Sequence, residues 1–184
     1  PDFDPNSPNT IYDKNVQAQL DAITDEDARQ KALLEAQYEQ WRNKAISDPY
    51  EPGSVFKIIT ASSVLEEKVI SLNHSFTCTG TYESGGVTYH CWKLAGHGTQ
   101  NFAQTLQNSC NPAFISYGQA LGKEKFREYF QAFGLTQTTG IDLPGEAGSI
   151  YHTAEDFGIT ELSSSSFGQT FKVTTLQLIT AGSA

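Results

Sequence analysis

Apolar residues recur at helical spacing along most of this chain and alternate at strand spacing over one stretch. Residues 1–23 are polar and rich in Asp, Asn and Pro, with Ile11, Val16, Leu20 and Ile23 as scattered apolar anchors. They read as a loop or irregular connection. Thr24 then reads as an N-cap, with Asp25, Glu26 and Asp27 filling a first turn where negative charge suits the helix dipole. That helix should run to about Lys44, with Leu33, Leu34, Tyr38, Trp41 and Ala45 as its apolar stripe. Asp48-Pro49 ends the segment and Pro52-Gly53 separates it from the next. From Ser54 a helix runs to about Lys68, with Val55, Ile58, Ile59, Ser62 and Leu65 on one face. Residues 75–93 alternate as a β-hairpin around Glu83-Ser84-Gly85-Gly86. Helical spacing returns from Phe102 to Ser109. Pro112 opens a helix that stops at Gly122, and Lys123–Phe133 carries Phe126, Tyr129, Phe130 and Phe133 on one face. Residues 140–146 are a Gly/Pro loop, 163–170 are small and polar, and Val173–Ala181 is a last helix.

The chain of 184 residues is long enough to bury a core, and 11 phenylalanines supply it. A net charge of -9 argues against nucleic acid and anionic membrane surfaces as partners. No apolar run is long enough to span a bilayer. Pro1-Asp2-Phe3-Asp4-Pro5-Asn6 lacks a Met and reads as a loop between elements, and 176–181 reads as a helix cut short. Both point to a piece of a longer protein.

Ser54-Val55-Phe56-Lys57 is the first stretch with chemistry in it. Ser54 lies at a predicted helix start and Lys57 one turn on, so their side chains are neighbours. A serine hydroxyl is a weak nucleophile until a base takes its proton. An amine one turn away serves if burial, here among Phe56, Ile58 and Ile59, lowers its pKa. Backbone N–H groups at a helix start also favour a developing oxyanion. Taken alone, Ser-x-x-Lys reads more readily as a cap beside a solvated lysine. Ser109-Cys110-Asn111 follows 55 residues later on a tight turn between two helices. Its hydroxyl can relay a proton and its carboxamide can both donate to and accept from a peptide, although Ser and Asn are ordinary turn residues too.

Cys78, Cys91 and Cys110 make an odd count, so at least one thiol is free or pairs elsewhere. A four-residue loop at 83–86 sets Cys78 opposite Cys91, within reach of a disulfide; a two-residue Gly85-Gly86 turn sets them diagonal. A metal site built from Cys78, Cys91, His90 and His97 matches no common zinc spacing. Plain buried thiols are the third reading, and no metal or cofactor is assigned.

Taken together, the two motifs resemble those of the penicillin-recognising enzymes. Tyr50-Glu51-Pro52-Gly53-Ser54-x-Phe56-Lys57, Cys91-Trp92-Lys93, Gly96-His97-Gly98, Ser109-Cys110-Asn111-Pro112-x-Phe114, Gly140-Ile141-Asp142-Leu143-Pro144-Gly145-Glu146, Phe167-Gly168-Gln169 and Val173-Thr174-x-Leu176-Gln177 resemble class B penicillin-binding proteins, in that family's order and over nearly the whole chain. The Cys-Trp-Lys segment is similar to elongation and sporulation-type members.

The resemblance implies an α+β fold: the penicillin-recognising transpeptidase fold, an antiparallel sheet packed between helices, with 1–184 forming mainly its helical part. It implies D-Ala-D-Ala transpeptidation, in which Ser54 forms an acyl-enzyme, Lys57 is its general base, Ser109 passes the proton to the leaving amine and Asn111 holds the substrate amide. Partners would be peptidoglycan stem peptides, β-lactam antibiotics, which would acylate Ser54, and other cell-wall synthesis proteins, on the extracytoplasmic face of a bacterial membrane. The family's third motif, Lys-Thr/Ser-Gly, is absent from these residues, since Lys172-Val173-Thr174 has no following glycine. The resemblance places that motif, several sheet strands and an N-terminal anchor and pedestal outside this chain, and implies that this fragment alone is inactive. A catalytically incomplete structural component of the cell-wall complex, or a β-lactam sensor, is the alternative.

Overall fold

The structure is a computed structural model that describes residues 3–184; the start of the chain read above as a loop, Pro1-Asp2, lies outside the described residues. A helical hairpin opens it. Helix α1 (Lys14–Asp21) falls in the stretch expected to be irregular, because Asp13 caps it through Asn15 N and Val16 N and Leu20 anchors it. Helix α2 (Glu26–Trp41) is capped by Asp25 rather than Thr24. Its expected apolar stripe is not buried: Leu34 and Tyr38 are exposed, and no α2 residue is in the core. The helix is instead held to the chain before it by polar contacts. Trp41 Nε1 donates to Pro8 O (2.8 Å) and Gln40 Nε2 to Thr10 O (2.9 Å). A short helix α3 (Lys44–Ser47) follows, and Tyr50 pairs with Val173 through reciprocal backbone hydrogen bonds.

Residues Gly53–Phe56 form a 3-10 turn that runs into α4 (Lys57–Glu66). Three residues per turn instead of 3.6 rotates the faces. Phe56, Ile59, Thr60, Ser63 and Val64 are therefore inward, while Val55 and Ile58 of the expected face are exposed. The two buried hydroxyls are satisfied: Thr60 Oγ1 donates to Ser166 O and Ser63 Oγ to Ile59 O. Phe56 is the hub of an aromatic cluster, with ring centroids 4.8 Å from Phe171, 5.9 Å from Phe126 and 6.0 Å from Phe130.

The expected hairpin over 75–93 is split. β1 (Ser75–Cys78) turns away at Gly80 and pairs antiparallel with β4 (Gly98–Asn101), so Cys78 faces Gly98. β2 (Thr81–Ser84) pairs with β3 (Val87–His90) across a two-residue Gly85-Gly86 turn. Gly80 and Gly96 make this possible. Both have positive φ, and a Cβ on either would overlap backbone of the other's loop. Cys78 and Cys91 are thus not cross-strand partners, and all three cysteines are free and buried.

Helices α5 (Phe102–Gln107), α6 (Asn111–Leu121) and α7 (Lys123–Ala132) follow the sequence pattern closely. Pro112 sits in the first turn of α6 and Gly122, at φ 82°, ends it. Helix α8 (Ile159–Ser165) escaped the sequence reading because it is rich in serine, a poor helix former. Its hydroxyls bond back to carbonyls one turn earlier, Ser163 to Ile159 and Ser164 to Thr160, and so add no unsatisfied groups to the core. Ser166 just beyond it packs on Gly118 of α6, where a Cβ would overlap the Ser166 hydroxyl. The chain ends in α9 (Thr175–Gly182), opened by a reciprocal Thr174–Gln177 capping box. Buried Gln177 also donates to Gln137 O and Ser149 Oγ, tying α9 to the loop before α8. No helix among the described residues is long and apolar enough to cross a membrane.

Candidate active site

Three elements meet at one lysine. The 3-10 turn supplies Ser54, the first residue of α4 is Lys57, and the α5–α6 junction supplies Ser109 from its turn and Asn111 as the first residue of α6. The backbone of that turn is unusual. Ser109 adopts φ 49°, a left-handed conformation rare for a residue with a Cβ. It brings both the hydroxyl and the carbonyl of Ser109 to the same amine.

Lys57 Nζ lies 3.1 Å from Ser54 Oγ, 2.9 Å from Ser109 Oγ, 2.9 Å from Ser109 O and 2.6 Å from Asn111 Oδ1. Ser109 Oγ donates to Ser54 Oγ at 2.8 Å. All four residues singled out from the sequence therefore form one hydrogen-bonded group. The Lys57 side chain is fully buried, with the Phe114 ring 5.6 Å from Nζ, whereas Ser54 is exposed. Burial lowers the Lys57 pKa from its usual value to about 8, against the opposing pull of the neighbouring Cys110 and Cys91 thiols. An ammonium has three protons for these four acceptors. A neutral amine has a lone pair, and the Ser54 and Ser109 hydroxyls are both within reach to donate a proton into it.

The surroundings fix this geometry. Phe56, between Ser54 and Lys57, is locked in the aromatic cluster described above. Gly53, at φ 56°, donates its N–H to Gly168 O at 2.9 Å. Gly168 itself is at φ 89°, and a Cβ there would overlap the Gly53 peptide. Glu51 Oε1 accepts from Thr170 N, bonding the other side of the same turn. Neither brace was legible as such in the sequence, although Phe167-Gly168-Gln169 lay in the resemblance. Asn111 Nδ2 donates to His90 O at 3.4 Å, so the carboxamide oxygen is the atom that faces Lys57.

The chain matches the family described as the penicillin binding protein transpeptidase domain over residues 1–184. It belongs to that family. Among relatives of this transpeptidase-domain chain, stage V sporulation protein D of Bacillus subtilis is 44% identical over 144 residues, covering 78% of the chain and 22% of the relative. The peptidoglycan D,D-transpeptidase MrdA of Escherichia coli is 31% identical over 146 residues, with coverage of 78% and 22%. Of solved structures, penicillin-binding protein 3 of Mycobacterium tuberculosis in complex with aztreonam superposes with a TM-score of 0.71 at 31% identity, covering 79% of the chain and 33% of that structure. A penicillin-binding protein (PBP2) of Helicobacter pylori in complex with MreC gives 0.72 at 28%, with coverage of 84% and 31%. The chain thus spans about a fifth of the length of these relatives. The helices with small antiparallel sheets carry the α+β transpeptidase fold expected from the resemblance.

Sequence reasoning missed one grouping. Cys78, Cys91, His97 and Cys110 converge behind the Ser109–Asn111 turn, with their candidate ligand atoms all within 4.8 Å of one another. The metal reading had included His90 in place of Cys110. His90 is exposed, and only its carbonyl reaches this region. The signal for Cys110 was its position inside Ser109-x-Asn111, which directed attention to its neighbours.

Proposed function

We propose that this chain carries the nucleophile half of a peptidoglycan D,D-transpeptidase site, with a serine acyl-enzyme at Ser54. The observation that carries the reading is a buried, pKa-lowered Lys57 amine within hydrogen-bond reach of Ser54, Ser109 and Asn111 together. Neutral Lys57 takes the Ser54 proton as Oγ attacks the penultimate D-Ala carbonyl of a stem peptide. The Ser54 backbone N–H, in the first turn of the 3-10 helix, provides one donor to the oxyanion. The amide C–N bond breaks, and the proton held by Lys57 reaches the departing amine through Ser109 Oγ, leaving an ester on Ser54. An acceptor amine then attacks that ester, returns the proton along the same path and completes the cross-link. Asn111 holds the substrate amide and, through Oδ1, places Lys57.

A β-lactam enters the same step by opening its ring on Ser54. The leaving nitrogen stays tethered in the adduct, so the ester persists. The similarity to a structure that holds aztreonam supports this. The second oxyanion donor and the cation for the substrate carboxylate are assigned to a Lys-Thr/Ser-Gly segment within roughly 150 residues after Ala184, as the resemblance implies. On this reading residues 1–184 alone do not turn over. The relatives' names and the complexes with aztreonam and MreC support peptidoglycan, β-lactams and other cell-wall proteins as partners; an extracytoplasmic, membrane-anchored setting for the intact protein is what the family resemblance implies.

Fluorescent penicillin on the full-length protein tests the reading. Covalent labelling retained for many minutes is the expected result. Release within seconds would indicate a β-lactamase, and absence of labelling would leave a structural component of the cell-wall complex.

A further inference from the structure

We infer that Cys78, Cys91, His97 and Cys110 form a structural zinc site that braces the Ser109–Asn111 turn from behind. The four candidate ligand atoms lie within 4.8 Å of one another. In a tetrahedron with Zn–S near 2.3 Å and Zn–N near 2.0 Å the edges are about 3.5–3.8 Å, so the group needs only a small contraction to close around an ion. One edge is already at that length: His97 Nδ1 is 3.5 Å from Cys91 Sγ. Three sulfurs and one imidazole form a Cys3His set, a structural zinc donor set that leaves no open position.

The cluster is built as a site rather than gathered by chance packing. All three thiols are buried. The Gly80 and Gly96 backbones press together so closely that neither tolerates a Cβ, and this contact sets the Cys78 and His97 loops edge to edge. Cys91 N donates to Gly80 O at 2.8 Å and joins the third segment to the first two. The Trp92 ring, anchored by its Nε1 to Asn108 O, lies edge-on against the His97 ring and covers it. A disulfide can use only two of the three thiols and leaves the imidazole no role. The buried His97 Nε2 has no hydrogen-bond partner among the described residues.

The ligands come from three segments that meet in the core: the end of β1, the Cys91–Gly98 segment and the N-cap of α6. Cys110 stands between Ser109 and Asn111. Zinc on its sulfur would hold the left-handed Ser109 backbone, and with it two of the four contacts to Lys57. This last consequence rests on the proposed function; the zinc assignment does not.

The test is metal analysis of the full-length protein, purified under reducing conditions without chelator. The account expects about one zinc per chain, and for Cys78→Ser and for His97→Ala a loss of affinity of about 10–100-fold or more. Replacement by Co2+ should give the intense visible absorption of a tetrahedral site and a sulfur-to-cobalt charge-transfer band. Zinc-free protein with three thiols reactive on unfolding overturns the assignment, and so does a disulfide that leaves one thiol. Zinc retained in full by both variants overturns it as well. Penicillin labelling, read on the same samples, separates this outcome from the fate of the Ser54 reading. If both hold, removing zinc by chelation slows labelling without abolishing the Ser54 adduct.

Discussion

The pH dependence of acylation follows directly from the burial of Lys57. If its neutral amine takes the Ser54 proton, the acylation rate tracks the neutral fraction. With the pKa lowered to about 8, that fraction rises with pH and saturates above this value. From the titration curve about a tenth of the molecules carry a neutral amine at pH 7 and about nine-tenths at pH 9, so the second-order rate of acylation should rise about tenfold across that window and then level. A solvated lysine, with its ordinary pKa near 10.4, would instead give a rate still climbing about tenfold per unit at pH 9. The groups around the amine work in both directions. Burial is the larger influence and lowers the pKa, while the Cys110 and Cys91 thiols oppose it. The assay is stopped-flow or quenched labelling of the full-length protein with a fluorescent penicillin whose own hydrolysis is measured at each pH. A midpoint near pH 8 with a plateau beyond it is expected. A flat profile from pH 6 to pH 10, or a rise that does not bend below pH 10, would refute the assignment of Lys57 as the base. The same shift also acts on stability. The folded pKa lies below the unfolded one, so the unfolded chain binds more protons between about pH 8 and 10.4, and folding should strengthen as pH rises through that window.

Other substitutions test the supporting geometry. Ser109→Ala should lower the acylation rate about 10^2-fold or more while leaving the fold intact, as read by labelling rate and circular dichroism. Gly168→Ala places a Cβ against the Gly53 peptide at a positive φ and should cost about 3 kcal/mol in denaturant unfolding, with slower labelling. Phe114→Ala empties a fully buried position beside Lys57 and should cost about 3–5 kcal/mol.

Much of this arrangement was legible in the residues. Pro112 and Gly122 bound α6 where expected, and the Phe126 and Phe130 face of α7 is buried as its spacing indicated. Ser54, Lys57, Ser109 and Asn111 were all named from their motifs and all meet at one amine. The failures have local causes. A 3-10 turn changed the phase of the Ser54 helix, so Val55 and Ile58 turn outward. Gly80 broke what looked like a continuous strand and handed β1 to β4, a non-local pairing that alternation alone does not encode. Serine-rich α8 is held by packing on α6 and not by its own propensity. The left-handed Ser109 backbone, which sets the cage around Lys57, leaves no mark in composition or spacing.

The central claim is that Ser54 is the residue acylated. Peptide mapping by mass spectrometry after penicillin treatment of the full-length protein tests it most directly. The account predicts a single β-lactam adduct on the peptide containing Ser54, lost in Ser54→Ala. An adduct on another residue, or one that persists in that variant, would contradict it.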